Sequence, residues 1–246
     1  MYSRNRLCIT AKEQAQIRRF RIVLAGAGLG SVIAECALRL GFEDITIIDG
    51  DTVELSNLNR QNYTRADIGK PKAQALAQRL QSINPQARLT ACCQYIDAGN
   101  MAQLIENADV VINAIDFTSD APFLLDRLCT ELGITALHPY NFGWAACVFA
   151  VGKWSKNLSH LSENYRGFEL TFARFVAKEL QKQNRPAEWI NELIEQYAGE
   201  PEQLPPPQLP IASWQVAGVC TDILYRLATG KEIKMFPEFY FQTIRY

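Results

Sequence analysis

Histidine is nearly missing from this chain of 246 residues: only His138 and His160 occur. The seven cysteines contain no Cys-x-x-Cys pair. Four thiol and imidazole ligands at zinc spacing are therefore absent, and no structural zinc is expected. The cysteine number is odd, and the residues Cys8, Cys36, Cys92, Cys93, Cys129, Cys147 and Cys220 are scattered through mostly apolar runs. Reduced, buried thiols are expected rather than a disulfide framework. Cys147 and Cys220 in particular read as structural.

An excess of either positive or negative charge is also missing. The formal net charge is -1, and no Lys/Arg block stands out, which argues against a nucleic-acid surface. No apolar run approaches the roughly 18 residues of a membrane span. Residues 1–10 hold Arg4 and Arg6 but no apolar core of a secretory signal. A cytoplasmic protein without membrane contact is the expectation.

What is present is enough apolar sequence, 48% of residues, for one sizeable core. Arg21 to Ala25 (RIVLA) reads as a buried parallel strand. A glycine-rich turn, Gly26-Ala27-Gly28-Leu29-Gly30-Ser31, leads into a helical pattern from Val32 to Leu40. Asp44 to Asp49 reads as a second strand, which completes a βαβ start. Further on, Pro71 to Ser82, Met101 to Asn107 and Ala121 to Leu132 read as helices. They alternate with strands at Arg88 to Ile96, Asp109 to Ile115, Ile134 to Leu137 and Ala145 to Val151. The fold class is thus α/β: a Rossmann-like, mainly parallel sheet with helices on both faces.

After Val151 the pattern changes. Helices are expected at Phe168 to Gln183 and Ala187 to Tyr197, and a proline-rich crossing at Gly199 to Pro210. A long apolar helix follows at Ile211 to Thr229, then an aromatic tail to Tyr246 that ends in strands, a short antiparallel extension. One domain over residues 1–246 is expected. Residues 1–151 form its nucleotide-binding core, 152–210 a variable crossover, and 211–246 the C-terminal helix and strands.

The turn at Gly26, Gly28 and Gly30 lets backbone approach a phosphate at a helix N-terminus. Asp49 stands about twenty residues beyond, where such folds place an acid for ribose hydroxyls. These two signals leave NAD and ATP both open. Arg60 and Lys72, near the turn, suit a triphosphate and a departing pyrophosphate. Asp116 ends a strand where ligands bind in open α/β sheets, and a carboxylate there suits Mg²⁺. Thr118 or Ser119 is available to cap the following helix in its place.

The segments "IDGDTVELSNLNRQ", "DIGKPKA" and "VVINAID", with Tyr2-Ser3-Arg4-Asn5-Arg6 ahead of the first strand, resemble the ThiF/MoeB/E1-like adenylating family. The resemblance runs from Tyr2 to about Val151 and returns at Ala217 to Gly230. It implies ATP and Mg²⁺ as cofactors, Asp49 on the ribose, and Gly26, Gly28, Gly30, Asp51, Asn57, Arg60, Gln61 and Lys72 around the nucleotide. It also implies Asp116 on magnesium and Arg4 donated across a homodimer into the neighbouring site. Arg60, Lys72, Asp116 and Arg4 would then carry catalysis. The implied reaction activates a carboxylate, usually the C-terminal glycine of a ubiquitin-like or sulfur-carrier protein, as an acyl-adenylate. The sequence departs from the family pattern in its glycine turn and at Phe117 and Ala121, where Asn and Arg are usual. Two alternatives share the resemblance. One is an enzyme like tRNA threonylcarbamoyladenosine dehydratase, which the neutral charge disfavours; the other is a non-catalytic subunit of the same fold.

Overall fold

A computed structural model describes residues 1–201 and 204–245. Glu202 and Gln203, within the proline-rich crossing, and the terminal Tyr246 lie outside the described residues. Eight helices are described: α1 (Ala11–Arg19), α2 (Gly30–Leu40), α3 (Lys72–Ile83), α4 (Met101–Ile105), α5 (Ala121–Leu132), α6 (Phe168–Lys182), α7 (Glu188–Ala198) and α8 (Pro210–Ala228). The strands are β1 (Arg21–Ala25), β2 (Asp44–Ile48), β3 (Arg88–Cys92), β4 (Val110–Asn113), β5 (Thr135–Asn141), β6 (Ala145–Val151) and β7 (Tyr240–Thr243).

They form one sheet in the order β3-β2-β1-β4-β5-β6-β7. The first five strands are parallel, whereas β6 and β7 add on antiparallel. Alternate residues of each strand serve opposite faces. Ile22 and Leu24 of β1 join a core with α1, α2, α3 and α8, while Val23 and Ala25 join another with α4 and α5. A third, aromatic-rich core lies between β6 and the pair α6–α7. The chain runs outward from β1 to β3 and then returns to β4 on the other side, so the strand order reverses between β1 and β4. Crevices at such a reversal bind ligands outside the carboxyl ends of the strands.

Several boundaries differ from the sequence reading. β5 continues through His138 and Pro139 to Asn141, because β6 pairs with it from Ala136↔Val151 to Asn141↔Ala146. Pairing with β4 stops at Leu137, so Pro139 needs no amide partner on that side. His138 is consequently not a loop residue; it is buried with Nε2 2.6 Å from Asp126 Oδ1. β3 ends at Cys92, where Gln94 N turns back to the Cys92 carbonyl at 3.0 Å. The aromatic tail supplies one described strand, β7. Pro210 opens α8 at its first turn, where a missing N–H costs no hydrogen bond.

The cysteines divide. Cys129, Cys147 and Cys220 are buried, with thiols pushed up by desolvation. Cys8 and Cys93 are exposed, contrary to expectation, since one lies ahead of α1 and the other just past the end of β3.

Candidate nucleotide site

A cavity of about 1270 Å³ opens at the carboxyl ends of β1, β2 and β4. The glycine turn forms its floor. Gly26 has φ +99°, and a Cβ there would stand 2.3 Å from the Ala114 carbonyl oxygen of the adjacent β4 chain. Only glycine allows that approach. Gly28 also lines the cavity, facing the Gln61 amide. Gly30 does not line it: a Cβ there would stand 2.6 Å from Leu24 Cδ1, so its small size serves the packing of α2 on β1. Ser31 ties the turn to the next loop. Its Oγ donates to the Gly28 carbonyl at 2.7 Å and accepts from Asn62 N at 2.9 Å. Asn62 is held in turn by the buried Glu35.

Asp49 directly follows β2 and braces the turn, accepting from Ala27 N at 2.6 Å and from Asp51 N at 2.8 Å. Burial raises its carboxyl above the usual range, while these amides pull the other way. Asp51 accepts from Lys72 Nζ at 2.8 Å and from the Tyr95 hydroxyl at 2.7 Å. Burial pushes Asp51 upward, but these bonds outweigh it and hold the carboxyl low. Lys72 is the first residue of α3. A short bridge, Thr52↔Pro71, brings it back onto the strand-end loop. Tyr63 locks that arrangement, its hydroxyl donating to the Ala27 carbonyl at 2.7 Å.

Arg60 lines the cavity, with Nη1 on the Ser56 carbonyl at 2.9 Å and on Asn59 Oδ1 at 2.8 Å, and Nε on Gln208 Oε1 at 2.7 Å. Gln61 lines it as well, with its Oε1 buried and without a partner. Asn57 faces elsewhere. Its Oδ1 accepts from Glu54 N at 2.9 Å and holds the turn that presents Arg60. Asp116 lines the cavity and caps no helix: the N-cap of α5 is Asp120, without a side-chain cap bond, and neither Thr118 nor Ser119 takes that place. Although solvent reaches it, crowding by protein raises its carboxyl; Lys72 draws it down, Asp51 and Asp49 raise it further, and Arg60 opposes them.

Arg4 is not brought to the cavity within one chain. It is exposed in a 3-10 turn, Ser3–Asn5, anchored by Tyr2 Oη on the Leu38 carbonyl and Asn5 Nδ2 on the Leu40 carbonyl. Both carbonyls lie at the end of α2 remote from the glycine turn. Among the residues the sequence reading missed, Tyr95 and Gln208 carry no local signal. They reach the site through a turn after β3 and through the proline-rich crossing.

The donor set suits a magnesium-bound nucleoside triphosphate. Backbone amides at the start of an eleven-residue helix, Lys72 and Arg60 offer positive charge. Asp116 offers one hard oxygen ligand, and the unpaired Gln61 Oε1 offers a buried acceptor. Among the described residues there is no cluster of three or more His, Cys, Asp or Glu able to hold a metal by itself. No helix among them is long and apolar enough to cross a membrane.

This sheet order and this turn define an open α/β nucleotide-binding protein. A profile of the ThiF family matches residues 2–243, and the chain belongs to that family. It is similar to the sulfur carrier protein ThiS adenylyltransferase of Bacillus subtilis, 36% identical over 157 residues, covering 61% of this chain and 45% of that protein. It is also similar to the tRNA threonylcarbamoyladenosine dehydratase of Escherichia coli, 38% identical over 96 residues, covering 38% of this chain and 36% of that one. The matched region thus spans less than half the length of these relatives. In fold the chain resembles E. coli MccB crystallised with ATP, with a TM-score of 0.67 at 14% identity over 94% of this chain and 66% of MccB. It also resembles the E. coli dehydratase TcdA, with a TM-score of 0.66 at 20% identity over 93% and 94% of the two chains.

Proposed function

We propose that this chain is an ATP-dependent adenylyltransferase that activates a carboxylate. One observation carries the reading: Lys72, Arg60 and Asp116, distant in sequence, line one cavity with the glycine turn at the strand-order reversal. An oxygen of the carboxylate attacks the α-phosphorus, the bond from that phosphorus to the bridging oxygen breaks, and pyrophosphate leaves. The reaction needs alignment and charge neutralisation more than proton transfer. Amides at the start of α2 bind phosphate oxygens, since those of Gly26 and Ala27 already donate to the Ile48 carbonyl and to Asp49, and Asp49 receives the ribose. Lys72 and Arg60 neutralise the charge that grows on the leaving group. Asp116 would hold magnesium, which supplies further neutralisation of the phosphates.

The relatives' names support a protein C-terminus, of a sulfur-carrier or ubiquitin-like partner, as the carboxylate. Arg4 would complete the site from a second copy in a homodimer. The test is ATP–pyrophosphate exchange with a panel of carboxylates. Exchange that appears only with a carboxylate present supports the reading. Exchange dependent on tRNA bearing a threonylcarbamoyl group would assign the dehydratase-like alternative. Tight ATP binding without exchange on any carboxylate would leave a non-catalytic subunit.

A further inference from the structure

Half of the cavity lies beyond the residues proposed above to hold the nucleotide. Its full volume, about 1270 Å³, exceeds the roughly 300–1,000 Å³ of a single small-molecule pocket. The glycine turn and the ends of β2 and β4 wall one half. The other half is walled by Tyr140 of β5, Leu170 and Ala173 of α6, and Leu193 and Tyr197 of α7, all partly exposed above the buried Phe142, Phe172 and Ile190. Phe117, immediately after Asp116, joins the two. Its ring centroid lies 4.4 Å from that of Phe168 and 6.4 Å from the stacked ring of Tyr140. Tyr140 stacks on Phe172 at 3.9 Å. Among the described residues, the charged groups on these walls are Arg166, Glu169 and Glu200, of which Arg166 and Glu200 are exposed at the rim. Apart from Arg166 at the rim, such walls offer a triphosphate little; they repay the burial of apolar surface.

Building on the adenylation reading, we infer that this half receives the acyl donor, and that the donor carries a bulky apolar or aromatic group beside its carboxylate. A tail that ends in glycines, as the family resemblance implies for a sulfur carrier, has no side chain to fill the space beside Tyr140, Ala173 and Leu193, so the inference keeps the carboxylate and departs from that partner. The half-buried Glu169 is the one carboxylate on these walls away from the rim, so an anionic side chain at that point is disfavoured, and its own carboxyl is raised by burial and by Asp116.

Pyrophosphate exchange should be measured with hexapeptides identical except for a C-terminal Phe, Leu or Gly, and with free phenylalanine and 3-phenylpropanoate. The Phe- or Leu-bearing donors should exceed the Gly-ended peptide in kcat/KM by about ten- to a hundredfold, the range that burying one large apolar side chain supplies. Preference for the peptides assigns a peptide tail, and preference for the free acids assigns a small molecule. Ala173→Trp and Leu193→Trp fill the space from two different helices. Each should raise KM for the bulky donors at least tenfold while ATP affinity and the circular dichroism spectrum stay unchanged. Equal turnover of Phe- and Gly-ended peptides would overturn the inference yet leave adenylation standing. So would filled variants that keep the wild-type ranking. Absence of exchange with every carboxylate removes the adenylation reading and this inference together.

Discussion

Lys72 is bound to Asp51 twice, its ammonium donating to the carboxylate at 2.8 Å and its backbone amide to the carbonyl at 2.9 Å. The lysine is nearly buried, and its charge is held at the edge of the glycine turn. On the proposed reading, that fixed geometry would limit the reorganisation needed as charge develops on a leaving pyrophosphate.

Lys72→Ala should therefore lower the rate of exchange by about 10²- to 10³-fold, the usual cost of one lost charge-stabilising donor. The melting temperature should fall only a few degrees, because Asp51 is half exposed and water screens it. Exchange kinetics beside a thermal melt check this. A collapse of folding equal to the loss of rate would mark Lys72 as structural.

Asp116→Asn should separate activity from stability. Crowding raises the Asp116 carboxyl above its unfolded value, so its stabilising share is complete below the ordinary aspartate range and is lost as pH rises through the raised value. At neutral pH the ionised group burdens the fold, and a neutral amide relieves it. The melting temperature at pH 7 should hold or rise while exchange is lost. A clear drop in melting temperature would contradict the electrostatic account.

Glu35 lies under the site and pairs with Arg79 Nε at 2.6 Å and Arg39 Nη2 at 2.8 Å. Burial raises its carboxyl, but the two arginines outweigh burial and hold it low. For a depressed carboxyl, the stabilisation is present above the unfolded value and is lost as pH falls through the folded one. Glu35→Gln should cost about 2 kcal/mol at pH 7, discounted for the exposed arginines. Urea melts of wild type and variant should converge as pH drops below the ordinary glutamate range. Curves that stay parallel at all pH would show that the charge is not what stabilises.

Gly26→Ala meets two obstacles at once: a φ of +99° and a carbonyl oxygen 2.3 Å from the new Cβ. A loss of about 2–4 kcal/mol is expected, with weaker ATP binding in the fraction that folds. Gly69→Ala shares the positive φ but has open space around it, and should cost only about 1 kcal/mol. Denaturant melts of the pair would expose any error in this ranking.

Arg4 lies away from the cavity of its own chain, so its proposed role requires a partner. Arg4→Ala and Lys72→Ala should each be inactive alone. Mixed after dissociation, they should recover about a quarter of wild-type activity, because half the dimers are mixed and each of those carries one intact site. Failure to recover any activity would exclude the shared site.

Legibility in the sequence differed sharply between the two halves of the cavity. Gly26, Gly28 and Asp49 sit within or next to one βαβ segment, where strand and helix periods place them at the same sheet end, and Lys72 opens the helix that follows. Asn57 and Gly30 occur in the expected pattern, but in the structure one braces a turn and the other seats a helix. Motif spacing does not distinguish a residue that touches a ligand from one that shapes its neighbour. β5 was read short for a similar reason. The strand was read as ending at Leu137, and an antiparallel partner, invisible to local propensity, extends it to Asn141.

From its own order of residues, the chain dictated the parallel core, the phosphate turn and the charges around it, since each depends on contacts a few dozen positions apart. Only tertiary packing decided that Tyr140, Ala173 and Leu193 would wall a second, apolar space beside them. Their helices and strand show ordinary amphipathic patterns, and such a pattern reports that a side chain is turned inward without saying whether protein or a ligand will cover it.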